Sequence, residues 1–221
     1  MLGNFLYDWR VFFRPAALAW LNGQNPYYVP EFALPPWGLP LLAALAVLPE
    51  WIILVVNLAA LAWVCWALRL KWWQVGLLIS SPPVVYSIWW GNLDWLVIAA
   101  IVLPVGKTYL FSLKPQLGLV DLVDWRRLLV LGLIALPFVS LWDDWLLALG
   151  ELGKIRNMSL LPWSLLPGLF LWTRAPMVAS ILLSPHVSFG SLSAVSLWLV
   201  RRWPGILLVV NLVVWAVLIV W

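Results

Sequence analysis

Apolar residues run through this chain in stretches of about eight to eighteen positions, and the interruptions are prolines and single charges rather than long polar loops. Proline ends or kinks a helix because it lacks an N–H and its ring clashes with the preceding turn, so the breakers mark the segments. Trp37 to Leu48 lies between Pro35-Pro36 and Pro49, and Trp51 to Leu68 ends at Arg69 and Lys71. Val75 to Trp90 carries Pro82-Pro83, which must break or kink it, and Leu93 to Val105 is followed by Lys107. Tyr109 to Val120 holds Lys114-Pro115 inside an apolar context. Leu128 to Trp142 leads to the most polar stretch, 143–157, after which Leu160 to Trp172, Pro176 to Leu183, Leu192 to Val200 and Pro204 to Trp221 follow. The pattern predicts an all-α, polytopic membrane bundle of about nine or ten short spans. Several reach only half of the ~20 residues that a crossing helix needs, so they are expected to be tilted, broken or re-entrant. Irregular backbone at membrane depth must be buried in protein or line a cavity, so such a bundle should enclose a polar site.

Residues 1–36 break this pattern. They are too polar and too rich in proline to span, yet they hold Trp9, Phe12, Phe13, Leu18, Trp20 and Leu21. Asp8 to Asn22 reads as a short interfacial helix, interrupted or initiated near Pro15, with Arg10 and Arg14 toward the headgroups. The expected organisation is an extracytoplasmic interfacial segment at 1–36 and a multi-span domain at 37–221 with a polar loop at 143–157. No basic stretch with an apolar run and a cleavage site opens the chain, so Met1 is expected to start the mature protein.

Composition sharpens the class. Of 221 residues 65% are hydrophobic and 10% charged, too few charges for the surface of an ordinary soluble domain. The twenty tryptophans suit rings at the two membrane interfaces. The net charge of +4 is spread along the chain, which gives no basic track for a nucleic acid. Cys65 is the lone cysteine, so an intrachain disulfide and a cysteine-based metal site are excluded, and a small buried hydrophobe is the expected role. Orientation is half determined. Arg126-Arg127, Arg174 and Arg201-Arg202 favour the cytoplasmic side, but alternation from them leaves Arg69, Lys71 and Lys107 outside.

Three stretches are chemically unusual for a bilayer protein. Leu21-Asn22-Gly23-Gln24-Asn25-Pro26-Tyr27 follows Asp8 and precedes Leu34-Pro35-Pro36; Ser81-Pro82-Pro83 precedes Trp90-Gly91-Asn92-Leu93-Asp94; and Leu113-Lys114-Pro115-Gln116 comes third. Asn157-Met158-Ser159-Leu160 and Ser184-Pro185-His186 follow in the same order. From Asp8 to about Arg202 this order resembles the polyprenyl-phosphate-dependent GT-C glycosyltransferases, in particular the bacterial alpha-mannosyltransferase-like branch. The resemblance implies transfer of a sugar, mannose first, from a polyprenyl-phosphate donor to a glycan or lipid acceptor in the bacterial cytoplasmic membrane. It implies Asp8 as the catalytic base, Lys114, Arg156 and His186 at the donor phosphate, and Asn25, Gln116 and Asn157 at the substrate. No cofactor is implied. Asp143-Asp144 could recruit a divalent cation, though adjacent loop carboxylates are more often a solvated acidic turn.

Each residue also has a plainer reading. Asp8 could cap a surface helix. Lys114, whose charge costs about 2.5–3.5 kcal/mol in a span, could reach an interface or pair with Asp121 or Asp124. His186 and the cations near Asn157 could be solvated, and Asn92 and Asp94 either line a polar cavity or, more simply, cap the next helix. Asn57 and Asn211 are expected to bond between helices. Only seven residues precede Asp8, where members of the branch carry a span. The resemblance therefore leaves open a partner chain that supplies that helix, or a non-catalytic accessory subunit of a larger membrane complex derived from such an enzyme.

Overall fold

The computed structural model describes residues 5–155, 161–184 and 187–220, and among them every regular element is a helix. Proline writes much of the segmentation. It sits at the first or second position of α1 (Arg14–Leu21), α2 (Leu39–Ala46), α5 (Pro82–Trp89), α8 (Pro115–Leu122) and α12 (Pro176–Leu183), where its missing N–H has no intrahelical partner to lose. The other helices are α3 (Ile52–Ala67), α4 (Trp72–Ile79), α6 (Asp94–Ile98), α7 (Lys107–Leu113), α9 (Trp125–Ala135), α10 (Trp142–Ile155), α11 (Leu165–Leu171), α13 (Ser193–Arg202) and α14 (Pro204–Val220).

The expected count of nine or ten membrane spans is not met. Among the described residues one helix is long and apolar enough to cross a membrane, Trp125–Glu151, formed by α9 and α10 through a 3-10 link. A second crossing arises only if Pro82–Trp89 and Asp94–Val102, bent by 115°, count as one broken span. The breakers that separate the apolar runs also shorten them: Pro36–Ala46, Ile52–Ala67 and Pro204–Leu218 are apolar but have 10 to 17 residues. The polar loop expected at 143–157 is likewise helical through Ile155. Asp143 and Asp144 occupy the first turn of α10, where carboxylates oppose the helix dipole favourably, and the Leu and Ala that follow are strong helix formers.

The N-terminal segment is woven into the core. Trp9 and Phe12 are buried on a π-helical turn, Trp9–Phe13, that runs into α1. The Leu6 and Asp8 amides donate to the carbonyls of Trp89 (2.7 Å) and Trp90 (2.9 Å), which docks the segment on the end of α5. Arg10 and Arg14 both reach Glu50, at 2.7 and 2.8 Å, and so fasten α1 to the turn after α2. Tryptophan is split between two roles. Trp9, Trp37 and Trp95 are core residues, whereas Trp66, Trp72, Trp125 and Trp163 are exposed.

Hydrogen bonds between helices add to the packing. Asn211 on α14 donates to the Leu77 carbonyl of α4 (3.0 Å), as an isolated Asn in an apolar helix was expected to do, while Asn57 instead bonds its own helix at the Ile53 carbonyl (3.0 Å). Ser81 and Ser196 share a hydroxyl bond of 2.7 Å, and the Val120 amide donates to Ser180 (2.9 Å) between α8 and α12. The outer faces stay apolar: Leu129, Leu133 and Leu147 of the long helix and Val209, Leu212 and Val213 of α14 are all exposed. Patches of this extent are uncommon on soluble monomers.

Candidate functional site

The sharpest break in the fold carries the chemistry. Between α5 and α6 the chain reverses through Gly91, whose φ is +69° and whose added Cβ would stand 2.9 Å from Trp9 Cβ. Only glycine meets both demands without strain. The turn presents Asn92 and Asp94 to the interior, where neither caps α6; Asp94 is the first residue of the helix and is fully buried. Replacing Gly91 with Ala is expected to cost about 1–3 kcal/mol and to displace the turn, seen as a lower unfolding midpoint.

Lys114 arrives from the opposite wall. It occupies the junction of α7 and α8 with φ −134° and ψ +82°, a non-helical conformation favoured by the proline that follows. Its Nζ donates to Asp94 Oδ1 at 2.8 Å and to Asn92 Oδ1. The alternative partners are engaged elsewhere: Asp121 binds Lys107 and Arg127, at 3.0 and 2.6 Å, and Asp124 accepts from the Arg126 amide at the start of α9. Asn92 continues the chain, its Nδ2 donating to Asp8 Oδ2 at 3.0 Å while its Oδ1 also accepts the Leu93 amide at 2.8 Å. Asp8 forms no helix cap through its side chain. Ser191 and Ser87 donate to Asp94 at 3.1 and 3.3 Å and complete the network.

Asp8, Asn92, Lys114 and Gln116 border a cavity of about 580 Å³, within the size range of small-molecule sites. Its walls are otherwise largely apolar and aromatic, including Phe12, Phe13, Tyr86, Trp90, Trp145 and Phe189, with Glu31 as a further carboxylate. Trp145 and Leu149 belong to α10, so the cavity abuts the long apolar helix.

The residues singled out in the sequence therefore divide. Asp8, Lys114 and Gln116 meet at one cavity. Asn25 does not join them; its amide donates to Asp144 Oδ2 at 2.8 Å and fixes α10 against the 3-10 turn Pro26–Tyr28. That placement uses Asp144 as a structural acceptor, and among the described residues no group of three His, Cys, Asp or Glu could hold a metal ion. Arg156, Asn157 and His186 lie outside the described residues. Beside Asn25, burial first and the Asp144 carboxylate second push the Tyr27 phenol well above its usual range, and its hydroxyl donates to the Leu34 carbonyl at 2.9 Å.

Sequence reasoning ranked Asn92 and Asp94 as caps and passed over Ser87, Ser191 and Glu31. A usable signal for Asp94 was present. An acid and a base, each alone in apolar surroundings, are strongly driven to find one another. The fold and cavity define an all-helical protein with a buried acid–base cluster at a helix break. No family model, curated protein or solved structure matches the chain.

Proposed function

We propose that this chain is a membrane-embedded hexosyltransferase that uses a polyprenyl-phosphate sugar, mannose first, as donor. The observation that carries the reading is the buried Asp8 carboxylate on the wall of a cavity that abuts an exposed apolar helix. Asp8 takes the proton of the acceptor hydroxyl as that oxygen bonds to the anomeric carbon. The bond from the anomeric carbon to the phosphate oxygen breaks, and polyprenyl phosphate leaves with the electron pair. An ammonium has three donors; Lys114 spends two on Asp94 and Asn92, and the third serves an anionic oxygen entering the cavity. Gln116 on the same wall can bond the sugar hydroxyls. The roles of Arg156 and His186 at the phosphate, and of Asn157 at the substrate, rest on the sequence resemblance alone.

The exposed apolar faces of α9, α10 and α14 support a bilayer setting because faces of this extent need an apolar environment. The chain is accordingly expected to stay in the membrane pellet after alkaline carbonate washing; release into the supernatant would sink the bilayer reading.

A second reading, an accessory subunit of a larger membrane complex, draws on a different observation: Trp66, Trp72 and Trp163 are largely exposed, and aromatics are enriched among the anchors of buried interfaces. Purification in mild detergent followed by an assay with polyprenyl-phosphate mannose separates the two. Transfer by the isolated chain supports the enzyme, whereas stoichiometric co-purification with other membrane proteins and no transfer supports the subunit.

A further inference from the structure

We propose that Asp94 is a positioning residue for Asp8, acting through Lys114 and Asn92 to fix how the Asp8 carboxylate faces the cavity. The inference rests on the reading of Asp8 as the proton acceptor. Asp94 itself does not line the cavity, whereas Asp8, Asn92 and Lys114 do. A carboxylate behind the wall that is joined to one on the wall by an unbroken series of hydrogen bonds acts on the site without touching what fills it.

Each link has one sensible orientation. The Asn92 side chain has a donor end and an acceptor end. Its Oδ1 accepts from Lys114 Nζ and from the Leu93 amide, so its Nδ2 must face Asp8 Oδ2, 3.0 Å away. Reversing the amide would turn its oxygen against a carboxylate. Lys114 can serve this purpose only if its flexible stem is anchored, and the anchor is Asp94 Oδ1 at 2.8 Å. Asp94 is locked in turn: Ser191 and Ser87 donate to its two oxygens, and a Cβ at Gly190 would collide with Oδ2. Glycine at 190 lets the turn before α13 close directly on the carboxylate. An ion pair that served stability alone would need neither the Asn92 extension nor a terminus at the cavity carboxylate.

The experiment uses the full chain in lipid nanodiscs with polyprenyl-phosphate mannose as donor and an alkyl mannoside as acceptor. In parallel, aspartate labelled with ¹³C at the carboxyl carbon is followed by NMR, the Asp8 signal being the one lost in Asp8→Asn. Asp94→Asn is expected to lower kcat on the order of a hundredfold, the scale of a misplaced catalytic group, with KM within about twofold, and to move the Asp8 signal. Ser191→Ala should move the same signal in the same direction with a smaller loss of kcat. If Asp94→Asn fails to fold, the paired change Ser191→Ala with Ser87→Ala, which frees the Asp94 carboxylate while keeping Lys114, must reproduce the direction of the shift with a loss of kcat. A folded variant with wild-type kcat, a rise in KM alone, or an Asp8 signal that stays in place overturns the proposal. If the wild type transfers no mannose, the proposed function fails, and the Asp8 signal alone decides whether Asp94 positions it.

Discussion

Asp8→Asn is expected to abolish sugar transfer, by about 10²–10⁴-fold, the contribution of a positioned general base. The amide keeps the size of the side chain, and its oxygen can still accept from Asn92 Nδ2 with Asn92 unmoved, so the fold should survive. Circular dichroism and elution in detergent should match the wild type. The accessory-subunit reading expects no effect on transfer, because the wild type then transfers nothing and Asp8 is one buried polar group among several. Initial rates with polyprenyl-phosphate mannose, measured beside an unfolding curve, distinguish them. Undiminished transfer by Asp8→Asn would remove Asp8 from the mechanism.

The segmentation was legible because its causes are local. Pro176 to Leu183 is the observed α12, Pro204 opens α14 as read, and Ile52–Ala67 differs by one residue at each end from the apolar run between Trp51 and Leu68. The break at Pro82 and the one before Pro115 fall where the proline ring requires. The number of membrane crossings was not legible. Apolar length along the sequence does not separate a helix that crosses from a short one that folds back, as α5 and α6 do through Gly91-Asn92. The stretch 143–157 was read as a loop from its charge, but charges at the start of a helix and along an exposed face do not prevent one.

The site was half legible for a related reason. Asp8 and Lys114 stood out because a charge among apolar residues is costly. The partner of Lys114 is 20 residues away and that of Asp8 is 84 residues away, distances at which no local pattern speaks. Asn92 and Asp94 follow a turn and look like caps in sequence. The bend of 115° at their turn is what brings them into the interior. Asn25 shows the converse, since it sits in a motif that points to substrate yet spends its amide on Asp144.

The second large effect concerns the Lys114–Asp94 pair. Asp94 is 0% exposed and lies behind the cavity wall, so its charge cannot be solvated if Lys114 is lost. Lys114→Met should therefore lower stability by about 3–5 kcal/mol, the cost of stranding a buried charge. For a chain of this size that is a fall of about 10 °C in the unfolding midpoint. The pair does not by that measure contribute 3–5 kcal/mol itself, because bringing both ions out of water has already offset most of their attraction. The double replacement Lys114→Met with Asp94→Leu should accordingly recover most of the loss, returning the midpoint to within about 4 °C of the wild type. Transfer activity should not return with it, because Asn92 Oδ1 no longer has its cation and nothing offers a donor to an incoming anion. Stability regained without activity means that the pair is kept for the cavity rather than for the fold. A double variant as unstable as Lys114→Met would instead make the ion pair a packing element whose shape the hydrophobic side chains cannot replace.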